Sequence, residues 1–199
     1  DQEPAISSLC SEIKRRRELL GHRVIEEKGP RYSHASLGSV ERGNRSAEQQ
    51  VRCIAAALLD ACGFQLEATS GVLPWAIRHG GWILHRFRVL DTGRTSFRHI
   101  RGRDYRGEIC ELGEQVWARD YRPSVQDAKL SLRWKPGTWL GKVSASDEHI
   151  VASEGNVIKV RTVLRRPITE RWDRQQLGNL TALPWSESGG ATDIARTVK

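Results

Sequence analysis

Two carboxylates stand where they could do chemistry. Asp1 immediately precedes a helical pattern, and Glu41 lies where the turn of SLGSVERGNR (residues 36–45) runs into a second, longer one. At the C-terminal end of a strand, Asp1 would occupy the sheet edge where sites form in open α/β proteins. A helix over 3–20, a short strand at 23–27 and a loop ending at Gly38 make a path that can return Glu41 to the same edge. Two carboxylates converging among arginines suit Mg²⁺ (or Mn²⁺), a hard cation that takes oxygen ligands and phosphate. Paired ions of this kind support in-line attack on a phosphodiester: one activates the attacking oxygen, the other stabilises the leaving oxygen. Glu41 equally fits a plainer role, an acid at the positive end of a helix dipole.

The elements that must position these groups follow from apolar spacing. Ile6, Leu9, Cys10, Ile13 and Leu20 recur at helical period, with Pro4 in the first turn and Gly21 at the end. From 40 to 62, Val40, Ala47, Val51, Ile54, Ala55, Leu58 and Cys62 form one apolar stripe, closed by Gly63. Its other face carries Glu41, Arg45, Glu48 and Arg52, and Glu48 is spaced to pair with Arg52. A third helix is predicted over 72–90, with Leu73, Ile77, Leu84 and Phe87 on one side and Trp75 and Trp82 flanking. The Gly80-Gly81 pair within it predicts close packing or a bend.

Charge points to the partner. The net charge is +8, and 25 of the 32 basic residues are arginine, whose planar fork of donors matches phosphate. Between 78 and 106, eight arginines face only Asp91 and Asp104, with Trp82, Phe87, Phe97 and Tyr105 interleaved. That is an electrostatic footprint for nucleic acid, or else a linker kept soluble by charge. No apolar run is long enough to span a membrane. Cys10, Cys53, Cys62 and Cys110 form no CxxC pair and read as reduced thiols of an intracellular protein. The six histidines show no metal spacing, and His34 reads as a loop residue before Glu41. No nucleophile elbow, phosphate-cradling glycine loop or internal repeat is present.

From 115 onward the apolar period changes to two. The stretches 114–121, 138–146, 148–154 and 156–167 read as short strands, with turns at 135–137, 146–147 and 154–156. Four or five such strands make a small barrel. Beyond Pro167, one short element is expected to pack through Trp172, Leu177, Leu180 and Trp185, before a polar tail from 186.

The stretches at 1–6 (DQEPAI), 33–52 (SHASLGSVERGNRSAEQQVR) and 93–107 (GRTSFRHIRGRDYRG) resemble, in order and approximate spacing, the integrase region of a copia-like long-terminal-repeat retrotransposon polyprotein. The Gly-Glu-x-Val step at 113–116 is similar to the start of that family's C-terminal barrel. By position, Asp1 is similar to the second of the family's three metal-binding acids and Glu41 to the third. Asn44, Arg45 and Arg52, on the same helix, would then face DNA, and Arg94, Arg98, Arg101, Arg103 and Arg106 would continue the track. Two departures stand: 39 residues separate Asp1 from Glu41, more than is usual in the family, and no counterpart of the first acid precedes Asp1. With no methionine, not even at position 1, the chain reads as if cut from something longer, and with no counterpart of the first acid the resemblance implies the C-terminal part of an integrase.

The resemblance implies an α+β or α/β chain. Residues 1–90 would be the C-terminal part of an RNase H-like core (helix–strand–helix–helix), 91–110 a basic connector, 111–170 a small SH3-like β-barrel and 171–199 a tail. It implies DNA as partner (element ends and target), a possible homo-oligomer, nuclear localisation and metal-dependent strand transfer in the intact parent, the fragment alone being inactive. The competing expectations are a non-catalytic nucleic-acid-binding module, a protein-interaction fragment, or a decayed copy.

Overall fold

The computed structural model describes residues 4–25, 34–119 and 133–185. They form a mixed α+β chain of five α-helices and one five-stranded antiparallel sheet. The chain divides into two compact units, residues 1–46 and 47–199.

The first unit holds α1 (Pro4–Leu19) and the start of α2 (His34–Cys62). Proline opens α1, where its missing N–H costs nothing. The helix ends in paired bonds, Gly21 N to Glu18 O and His22 N to Arg17 O, that satisfy its last carbonyls. Glu12 receives Arg15 and Arg16 at 2.7–2.8 Å. The expected apolar stripe of α1 is present as a sequence pattern but not as a core, since Ile6, Leu9 and Ile13 are about half exposed. Residues 23–25 of the expected strand at 23–27 are not in a strand, and 26–27 lie outside the described residues.

In the second unit, the C-terminal half of α2 packs with α3 (Val72–Phe87), α5 (Arg174–Gly178) and one face of the sheet. Ile54, Leu58, Trp75, Ala76, Leu140, Ile150 and Leu177 are the centre of this core. The buried face of α3 is not the predicted leucine side. Trp75, His79, Trp82 and Arg86 are buried, whereas Ile77 and Phe87 are exposed. The two indoles carry the larger apolar area, and their face lies against β2. Gly80 has the expected close packing: a Cβ there would lie 3.3 Å from Gln50 Cγ on α2.

The strands are β1 (Gln115–Arg119), β2 (Trp134–Lys142), β3 (His149–Ser153), β4 (Asn156–Val160) and β5 (Val163–Arg165), in spatial order β4-β3-β2-β1-β5. The last strand thus returns beside the first, an arrangement compatible with a small barrel. Alternation buries both faces: Leu140 and Ile150 join the helical core, while Trp139 and Val151 join Cys110, Val116, Ala118, Val160 and Val163 on the other side. The stretch 156–167 is two strands rather than one, broken at Arg161-Thr162. The turn expected at 135–137 lies inside β2. Pro136 fits there because the ladder to β3 begins only at Thr138, so its missing N–H removes no bond on that side. Gly113, at φ +91, leads into β1, and a Cβ on it would press within 3.0 Å of Leu177 and 3.1 Å of Leu58. Trp172 and Leu180 pack on the core as expected, while Trp185 is exposed.

Candidate functional site

The basic stretch after α3 turns back on itself at once. Val89 bridges to Thr95, and Thr95 Oγ1 accepts the amide of Arg98, capping the short helix α4 (Ser96–Arg101). This folds α4 back against α3. Arg98 and Arg101 on α4, with Arg103 and Arg106 just beyond, then line one side of a groove of about 710 Å³. The β2–β3 turn supplies the other side, with Ser144 and Asp147. Among the described residues no acid pairs with Arg101, Arg103 or Arg106, while Arg98 meets Asp104 at 3.2 Å. Several guanidinium groups facing one groove with few acids concentrate positive potential there.

Arg86 is the deepest of these cations. Its residue is only 5% exposed. The guanidinium lies 4.2 Å from the centre of the Trp82 ring and 5.3 Å from those of Phe97 and Tyr105. Negative ring faces offset part of its lost hydration. Nη2 donates to Ser144 O at 3.4 Å, and Nε has no hydrogen-bond partner among the described residues. Burial pulls its pKa below the ordinary value, against the opposing influence of Tyr105 and Asp147.

Tyr105 anchors the groove wall. Its ring meets Trp82, Phe87 and Phe97 edge-on at 5.1–5.7 Å. Its hydroxyl donates to Asp147 Oδ1 at 2.9 Å and accepts from Lys142 Nζ at 3.2 Å. Lys142 also reaches Asp147 Oδ2 at 3.0 Å. Burial, then the bond to Asp147, push the phenol pKa up. Gly107 closes the triad, since a Cβ there would collide with the Tyr105 hydroxyl.

Beside the groove lies a smaller hollow of about 320 Å³, which shares Arg86, Phe97, Arg101 and Ser144 with it. Its floor is the bulge in β2, where register shifts between Trp139 and Gly141. Gly141 stands at φ +137, and its Cβ position is 3.7 Å from His79 Nδ1. His79 stacks on Trp82 at 5.8 Å and meets the edge of Trp139 at 5.1 Å. Burial pulls its pKa down to about 4, so the ring is neutral at pH 7. His79, Trp82 and Arg86, at i, i+3 and i+7 of α3, line this hollow, and their buried Nδ1, Nε1 and Nε have no hydrogen-bond partner among the described residues.

The structure places the residues singled out in the sequence as follows. Arg98, Arg101, Arg103 and Arg106 come together on the groove, and Arg94 is exposed outside its lining. Arg52 is exposed on α2, paired with Glu48 at 3.5 Å as its spacing predicts, and does not line the groove. Glu41, Asn44 and Arg45 are exposed on α2. Since α2 begins at His34, Glu41 is two turns inside the helix and not at its mouth, and His34 is helical. Asp1 lies outside the described residues. Among the described residues no group of three or more His, Cys, Asp or Glu is arranged to hold a metal ion. None of their helices is long and apolar enough to cross a membrane.

Sequence reasoning missed the roles of His79, Trp82, Lys142 and Asp147, and counted Arg86 only as charge. One signal was available on α3: three hydrogen-bonding side chains share one face with Trp75. Fold and site together define a mixed α+β chain that carries an arginine-lined groove between a helix and an antiparallel sheet. No family model, curated protein or solved structure matches this chain.

Proposed function

We propose that the chain binds nucleic acid, DNA foremost, through the groove between α4 and the β2–β3 turn, as the C-terminal part of a retrotransposon integrase. One observation carries the binding reading: Arg98, Arg101, Arg103 and Arg106 line a single groove together with the buried Arg86 and the aromatic Phe97 and Tyr105. Guanidinium groups grip phosphates without reading sequence, and flat rings stack on bases. The integrase reading rests on the resemblance of 1–6, 33–52 and 93–107. It is supported by a sheet whose β5 returns beside β1, as a small SH3-like barrel requires. In this reading residues 1–90 derive from an RNase H-like core. Metal-dependent strand transfer then belongs to an intact parent with a further acid, and Asp1 and Glu41 are the proposed ligands in that parent. Homo-oligomer contacts and nuclear action belong to the same reading.

The test is binding to a short DNA duplex across a salt series, with and without Mg²⁺. Affinity is expected to fall steeply with salt. Arg101→Ala with Arg103→Ala should flatten the log–log slope by about 0.9 for each phosphate contact removed. Absence of salt-dependent binding overturns the reading. A Mg²⁺ effect that disappears in Glu41→Ala supports the integrase origin, and binding indifferent to both favours a non-catalytic nucleic-acid-binding module.

A further inference from the structure

We infer that the hollow beside the groove receives one unstacked nucleobase of the bound strand while the arginine groove holds the neighbouring phosphates. This rests on the nucleic-acid reading above and narrows it to a strand with a base turned out. The first argument is polar. Trp82 Nε1 and Arg86 Nε can only donate, His79 Nδ1 can donate or accept by tautomer, and all three are buried without partners among the described residues, in side chains that line one space. A buried donor without an acceptor is costly, so three on one wall favour a guest that brings acceptors. Ring nitrogens and carbonyl oxygens on the edge of a nucleobase are such acceptors.

The second argument is shape and surface. The hollow, about 320 Å³, sits at the small end of ligand pockets and is walled by rings: His79, Trp82, His85 and Phe97. A flat heteroaromatic guest gains stacking on these rings, worth roughly five- to hundredfold in affinity per base. The third argument is continuity. Arg86, Phe97, Arg101 and Ser144 belong to both spaces, so a base in the hollow leaves its sugar–phosphate at the arginines without a gap. A protein ligand would need no such junction of ring-walled hollow and cationic groove.

Gly81 gives the means to close the hollow. It lines the space, is exposed, and a Cβ on it meets nothing within 4 Å, so Gly81→Leu projects into the opening without displacing the core. Affinity would be measured for two labelled duplexes that differ at one unpaired central position, a nucleotide in one and an abasic site in the other. Both share charge and flexibility. The base-bearing duplex is expected to bind about tenfold tighter. That preference should vanish in Gly81→Leu and persist in Gly81→Ala, with circular dichroism verifying the fold of both variants. Equal affinity for the two duplexes in the wild type, or a preference that survives Gly81→Leu, overturns the inference and leaves the groove reading standing. Absence of salt-dependent binding to either duplex overturns both.

Discussion

Glu114 and Arg165 form a two-pronged ion pair: Nε meets Oε1 at 2.6 Å and Nη2 meets Oε2 at 2.7 Å. The carboxylate is fully buried, one residue before β1, and the arginine ends β5. Glu114 also accepts the amide of Glu111 at 3.0 Å, and Arg171 approaches it at 3.1 Å. The pair therefore ties the first strand to the last and gives the Gly-Glu-x-Val step a structural meaning. Gly113 makes room, Glu114 is the buried anchor, and Val116 enters the core.

Removing one partner should hurt more than removing both. Arg165→Met leaves the buried carboxylate with Arg171 as its remaining cation and is expected to cost about 3 kcal/mol. The double variant with Glu114→Gln should recover much of that loss, because the fully buried carboxylate charge is gone and Arg171, at 24% exposure, keeps contact with water. Urea unfolding of the two single variants and the double variant measures the coupling, and strictly additive losses would contradict this account.

Stability should fall in mild acid. His79 and His149 are both pulled down to about 4, in each case mainly by burial, with Lys142 lowering and Asp147 raising His149. The unfolded chain protonates its histidines near pH 6.5. Between those values the unfolded state binds more protons than the folded one, so stability decreases as pH drops from 6.5 toward 4 and is insensitive to these groups above 6.5. His149 adds a specific reason, because its Nδ1 accepts from Trp139 Nε1 at 2.9 Å and a protonated ring cannot. The expected loss is on the order of 1–3 kcal/mol per histidine. Urea midpoints at pH 7.5 and 4.5 check it, and His79→Phe should flatten the difference.

The adjacent glycines of α3 should respond differently to alanine. Gly81 faces open space, so Gly81→Ala is expected to stabilise by about 0.5–1 kcal/mol through helix propensity alone. Gly80→Ala places its methyl 3.3 Å from Gln50 Cγ and 3.8 Å from Ile54 Cδ1. Its gain should be smaller or reversed. Thermal melts of both variants decide this, and equal gains would mean that α2 and α3 are not in close contact there.

Gly107→Ala should loosen the groove wall. The added methyl has no room beside the Tyr105 ring and hydroxyl, so the ring must leave Asp147 and Lys142. A loss of about 1–3 kcal/mol is expected. It should be accompanied by a lower phenol pKa in a spectrophotometric titration, since the burial and the bond that raise it are both weakened.

What the sequence made legible was local. Period-two alternation located the strands from 115 onward, and Glu48 and Arg52 paired at their helical spacing. The four groove arginines lie within nine residues, close enough for one small helix and its exit to gather them. What it hid was long-range or broke a local rule. Arg86 reaches Ser144, and Tyr105 reaches Asp147, across 58 and 42 positions that no spacing pattern encodes. Pro136-Gly137 read as a turn, because only the staggered length of β3 makes room for a proline within β2. On α3 the leucines suggested one face and the indoles occupied another, as ring area outweighed regular spacing.

The pairing of Arg119 with Trp134 at the open end of β1 and β2 has a practical side. Fourteen residues lie between them in the sequence, the chain leaves and re-enters the sheet at paired positions, and the Arg119 guanidinium lies 6.0 Å from the Trp134 ring at that gate. Loop closure grows only slowly with length, by about 0.6 kcal/mol per doubling. Added length between 119 and 134 therefore costs the β1–β2 pair little closure entropy. A fluorescent domain or an affinity handle inserted there would report on the groove from a distance, tethered where β1 and β2 already meet in register.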